Sequence, residues 1–102
     1  MPRCEIRIAA SAMADIRKIS EWWRKHRSAA PHLFDQELEA ILDLLENHPG
    51  IGHRVTLRAY GEVRAIVLHR SQYVVMYRIL EEEQAVWIVR VRHSRRRPLQ
   101  TR

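Results

Sequence analysis

The chain has a single cysteine, Cys4, so no disulfide can form within it and the cysteine clusters of structural zinc sites are excluded. Long apolar runs are missing too. Nowhere do about 18 apolar residues stand together, and the opening MPRCEIRIAAS lacks the apolar stretch of a secretory signal. The sequence therefore predicts a soluble, cytoplasmic protein with no membrane partner. No phosphate-binding loop, dinucleotide fingerprint or Ser-His-Asp arrangement stands out. His48, His53 and His69 have no cysteine or paired carboxylate at ligand spacing, so neither a metal nor a cofactor is expected. Lysine is scarce: of the 18 basic residues only Lys18 and Lys25 are lysines.

The chain does have arginine, and enough length for one core. Its 102 residues fit one domain, with a basic tail over about 94–102. Eighteen Lys+Arg against 12 Asp+Glu give a formal charge of +6 and a pI near 10.4, which favours acidic partners, nucleic acid or acidic protein. Arginine suits bidentate recognition of phosphate or carboxylate, although a GC-rich genome enriches it as well.

Cys4, Ile6 and Ile8 alternate with Arg3, Glu5 and Arg7, the period of a half-buried strand. Ser11 is placed to cap a helix whose apolar positions Ala12, Ile16, Ile19 and Trp23 recur at helical spacing, with Asp15 suited to its dipole, ending near Arg27. Pro31 fits the first turn of a second helix, and Phe34, Leu38, Ile41 and Leu45 repeat the spacing until Asn47-His48-Pro49-Gly50 stops it. The short link predicts an antiparallel helical hairpin. Gly50–Ala59 shows no period and reads as a loop. From Glu62 the pattern is extended: EVRAIVL, YVVMYRIL and AVWIVRVRH, joined through RSQ and the acidic EEEQ, form a three-stranded meander. The order strand, helix, helix, strand, strand, strand predicts an α+β fold, with the helical hairpin on one face of a mostly antiparallel sheet. The other face is expected to be a partly apolar concavity rimmed by arginine.

The element order, LLENHPGIG closing the second helix, GEVRAIVL, RSQYVVMYRIL and the terminal VRVRHSRR together resemble the RelE/ParE superfamily of toxins from bacterial type II toxin–antitoxin systems. The resemblance runs from Ile6 to about Pro98 and is strongest to the ParE branch. It implies a small toxin neutralised by a ParD-like antitoxin whose C-terminal segment wraps it. ParE-type members poison DNA gyrase, whereas RelE-type members cut messenger RNA in the ribosome, and one fold serves both.

RNA cleavage requires a base, a cation at the phosphorane and an acid for the leaving oxygen. The resemblance offers Arg64, Arg78, Tyr77 and His93 for those roles. It lacks the lysines that RelE-type members place near the second strand and any tyrosine after His93, which points away from nuclease chemistry. Structural readings stand beside these: a strand-end histidine bonded to backbone, arginine stems lying along the sheet, and Tyr77 in the core with Tyr73 and Val75. Trp22, Trp23 and Trp87 are too scattered for a base-stacking platform and read as core or groove lining. Arg64, Arg78, His93, Arg95, Arg96 and Arg97 are also candidates for binding antitoxin or target. Leu33, Leu42 and Leu44 exceed one core stripe and are candidates for holding an amphipathic antitoxin helix. These readings favour a binding-type gyrase inhibitor, with a ribosome-dependent nuclease acting on mRNA, or an inactive relic, as alternatives.

Overall fold

The computed structural model describes residues 3–95. The alternation at the start produces β1 (Glu5–Ile8), followed by α1 (Ala10–His26) and α2 (Leu33–Asn47). A single 3-10 turn (Pro49–Ile51) leads into β2 (His53–Leu57), and β3 (Gly61–Leu68), β4 (Tyr73–Leu80) and β5 (Ala85–His93) complete one sheet of order β1-β5-β4-β3-β2. All pairings are antiparallel except that of β1 with β5. The α+β architecture is the one the sequence predicts, with one addition. His53–Leu57 lies in the stretch that reads as a loop and is instead an edge strand, in register with β3 from His53 opposite Ala65 to Leu57 opposite Gly61.

Helix starts also differ in detail. Ala9, in extended conformation, precedes the first turn of α1 with no side-chain cap, and Ser11 lies inside that turn. Ser11 Oγ donates to the Val89 carbonyl at 2.8 Å and stands 3.0 Å from the Tyr60 hydroxyl, so Ser11 joins helix to sheet rather than capping. Pro31 sits in the turn just ahead of α2. Arg24, Lys25 and His26 in the last turn of α1, and Asp35 in the first turn of α2, complement the helix dipoles.

The two helices cover one face of the sheet. Ala12, Trp23, Phe34, Leu38 and Leu45 meet Leu68, Tyr73, Val75, Tyr77, Val86, Ile88 and Val91 there, and Phe34, Leu45, Val75, Tyr77, Val86 and Ile88 are wholly buried. Each buried Leu, Ile, Val or Phe contributes about 1.5–3 kcal/mol, which makes this layer the main source of stability. The other face is not the open concavity expected. Leu57, Val63, Ala65, Met76 and Val89 are buried in a second cluster with Val55, Tyr60, Val74 and Trp87 packed on it, and the Tyr60 ring stands edge-on to Trp87.

Beyond Ile8, where β1 ends, α1 takes over the edge of β5. Ala9 N–H donates to the Ile88 carbonyl, Ser11 Oγ donates to the Val89 carbonyl, and Asp15 accepts from Val91 N–H at 3.0 Å and from Arg90 Nε at 2.8 Å. Met76 pairs with Arg90 and Tyr77 with Ile88, so Val89 is the extra residue of a β-bulge at this transition.

Candidate functional site

The residues offered for catalysis fall in separate places. Arg64 and Tyr77 are cross-strand partners on the helix-side face, and both are committed to the turn that follows α2. Tyr77 is fully buried; its hydroxyl donates to the Pro49 carbonyl at 2.7 Å and accepts from Gly52 N–H at 2.9 Å. Burial raises the phenol's pKa above its ordinary 10.0, against the opposing effects of the Gly52 N–H and the Arg64 charge. The Arg64 guanidinium donates to the carbonyls of Gly50 and Gly52 at 3.1 and 2.7 Å. A Cβ on Gly52 would lie 2.7 Å from the Tyr77 hydroxyl and 3.0 Å from the Ala65 carbonyl, so only glycine fits under this clamp.

Arg78 stands opposite Trp87, on the far face and exposed. His93 is at the end of β5 opposite Tyr73, its ring edge-on to that tyrosine, and its Nδ1 accepts from Arg95 N–H at 3.1 Å. That is the strand-end histidine bonded to backbone. Arg64 and His93 are two strands and four residues of register apart, roughly 16 Å between Cα atoms by strand geometry. Base, cation and acid are therefore not gathered around one point. Arg96 and Arg97 lie outside the described residues.

The sheet end does build a basic groove. Asp15, Lys18, Trp22, Trp23 and Arg27 of α1 and its C-terminal end, Arg70, Ser71 and Gln72 of the β3–β4 turn with Tyr73 after it, and Arg90 to His93 with Arg95 line a cavity of about 920 Å³. Six formally positive side chains face one carboxylate, Asp15, which Arg90 already neutralises. Trp22 is exposed but stacked on His26, and Arg27 lies 4.8 Å over its ring, so the indole orients a cation rather than a ligand's base. The β3–β4 turn is held from below by Glu37, which accepts from Arg70 N–H, Ser71 N–H and Ser71 Oγ at 2.7–2.9 Å. Burial alone would raise the Glu37 carboxyl's pKa; those donors outweigh it and hold the pKa below the ordinary range.

A second, shallower groove of about 540 Å³ runs between β1 and α2. Ile6, Ile8, Leu38 and Leu42 form its floor, and Asp35, Glu39, Asp43 and Glu46 its rim. Of the leucines singled out in the sequence, Leu42 lines this groove. Leu33 and Leu44, three turns apart, fall on the opposite side of α2, Leu33 against the core and Leu44 44% exposed.

Residues 6–98 match the family model for the ParE toxin of the type II toxin–antitoxin system parDE. The chain belongs to this ParE toxin family. A search of the curated proteins finds no match. Among solved structures, the toxin's fold is similar to that of the chromosomal ParDE system from P. aeruginosa, with a TM-score of 0.70, 16% identity and coverage of 89% of this chain and 96% of the other. The isolated E. coli RelE toxin superposes with a TM-score of 0.54 at 22% identity over 92% and 87% of the two chains. The RelBE2 toxin–antitoxin complex from Mycobacterium tuberculosis gives 0.53 at 21% over 91% and 93%. At these identities the likeness is one of fold.

Three residues that shape the toxin's grooves carry no signal for that role in the sequence. Asp15 reads as a dipole partner, Glu37 belongs to no motif, and Arg70 stands in the RSQ link with no role assigned to it; their partners lie 33 to 76 residues away. The only local trace is a carboxylate interrupting an amphipathic helix.

Proposed function

We propose that this toxin poisons DNA gyrase by binding it and stalling it with DNA cleaved, and that a ParD-like antitoxin silences it. The observation that carries the reading is the commitment of Arg64 and Tyr77 to the turn after α2, with His93 some distance away. An endoribonuclease needs its proton-transfer groups and cation around one phosphate, and these are engaged elsewhere. Membership of the ParE toxin family supports the same reading. The test is gyrase supercoiling and DNA cleavage in vitro with toxin refolded free of antitoxin. Inhibition with trapped cleaved DNA is expected. Untouched supercoiling, from toxin that still rebinds its antitoxin, would refute the reading and make ribosomal A-site cleavage of mRNA the next assay.

The antitoxin's amphipathic helix is assigned to the groove between β1 and α2, where Leu42 and Leu38 offer an apolar floor. The acidic rim asks for basic residues flanking the apolar face of that helix. The ParDE and RelBE2 structures are of toxin–antitoxin systems, which supports a partner of this kind.

A further inference from the structure

We infer that the basic groove beside α1 binds the phosphodiester backbone of a nucleic acid directly, without gyrase. Charge is the first ground. Lys18, Arg27, Arg70 and Arg95 come from α1 and its end, the β3–β4 turn and the chain beyond β5, and among the described residues none of the four forms an ion pair. They stand around one opening in a chain whose pI is about 10.4, the electrostatic footprint of a polyanion site.

The second ground separates phosphate from an acidic peptide. An extended peptide gains its affinity by adding to a sheet edge through backbone hydrogen bonds. Here the edge of β5 is partly covered by α1: the Val89 carbonyl is taken by Ser11 and Val91 N–H by Asp15. With those two groups engaged, the groove's main offer to a ligand is side-chain charge, with the apolar surfaces of Trp22, Trp23 and Tyr73 between the cations. A sugar-phosphate chain needs no backbone partners and fits that offer.

The third ground is preorganisation. The Arg27 guanidinium is held over Trp22, and the backbone that carries Arg70 is fixed by Glu37, so two of the four cations stand on ordered supports before a ligand arrives. Base stacking plays no part, because Trp22 is occupied and Tyr73 is buried with its hydroxyl bonded by Trp23 Nε1. Binding should therefore be indifferent to sequence and equal for DNA and RNA strands.

The experiment is fluorescence anisotropy of the full chain, refolded free of antitoxin, with short labelled single-stranded DNA, RNA and duplex DNA at a series of salt concentrations. Four phosphate contacts predict a log–log slope of about −2.8 for single strands and −3.6 for duplex, or ~50- to 150-fold weaker binding between about 50 and 200 mM salt. Lys18→Ala with Arg70→Ala, both exposed positions, should remove two contacts and lower the magnitude of the slope by about 1.4–1.8. Arg54→Ala with Arg58→Ala, exposed and outside the groove, should leave the slope unchanged. Circular dichroism of each variant checks that it is folded. Equal loss from both double variants would show attraction by net charge alone and overturn the assignment. Displacement of DNA by poly-glutamate at lower charge concentration than by unlabelled DNA would overturn it in favour of an acidic peptide. No gyrase is present, so failure here leaves the gyrase reading standing, and the reverse holds too.

Discussion

Removal of one oxygen, Tyr77→Phe, tests the role given to Tyr77 and Arg64. The phenol is fully buried, and its hydroxyl is the partner of Gly52 N–H and the Pro49 carbonyl. A buried polar group left unpaired costs about 1–3 kcal/mol. Gly52 is buried and would bear that cost, while the Pro49 carbonyl is less deeply placed and can regain water. The expected loss is about 2 kcal/mol, a large part of a stability on the order of 5–15 kcal/mol. Urea unfolding should show a midpoint lower by roughly 1 M, and the thermal midpoint should fall by about 8–16 °C. Gly52→Ala should cost about 1–3 kcal/mol through overpacking, since its Cβ would meet the Tyr77 hydroxyl at 2.7 Å. In the Tyr77→Phe background the hydroxyl contact is gone, so Gly52→Ala should cost less than in the native chain, while the Ala65 carbonyl and the ring Cε1 of residue 77, each at 3.0 Å, keep it above zero. A Tyr77→Phe variant within about 0.5 kcal/mol of the native protein, or strict additivity of the two changes, would refute the clamp and return Tyr77 to the catalytic candidates.

Other outcomes follow from the same geometry. Asp15→Ala leaves Arg90 and Val91 N–H without their acceptor at a site about a fifth exposed, and should lower stability by about 2–3 kcal/mol in denaturant titration, with Asp15→Asn losing less. Glu37 has a folded-state pKa below its ordinary 4.5, so its contribution is complete above that pH and is lost as pH falls through the folded value. The stability difference between native protein and Glu37→Gln should therefore shrink on acidification, and a difference that grows would contradict the hydrogen bonding described. Leu42→Asp should weaken antitoxin binding at least tenfold in calorimetry, and Leu44→Asp should leave it nearly unchanged; the opposite order would move the docking site to the other side of α2.

Most of the fold is legible in the sequence because most elements carry a clear period. The stripes of α1 and α2 and the apolar runs of β3, β4 and β5 each bury a face, and burial is what periodicity records. β2 escapes such a reading for a physical reason. As an edge strand it buries only Leu57 fully and Val55 in part, while His53, Arg54 and Thr56 face water, so its alternation spans three residues. The candidate site is less legible. Arg64, Tyr77 and His93 stand out as unusual, but their partners are backbone carbonyls and amides, which no side-chain pattern reveals. Ser11 passes for a helix cap for the same reason: its hydroxyl bonds a carbonyl 78 residues away, not its own helix.

The sheet order has a consequence for how the toxin comes into being. Among the described residues the last strand, β5, lies between β1 and β4, and β1 pairs with no other strand. While the chain is being synthesised, β1 and α1 wait for a partner that arrives only after Ala85–His93 has been made. The loop to be closed spans nearly the whole protein, and such topologies fold slowly and late. Both grooves depend on that insertion, since one is built on β1 and the other on the end of β5. A growing chain thus has neither surface, and an antitoxin already present in the cell has the whole interval before β5 docks in which to be waiting.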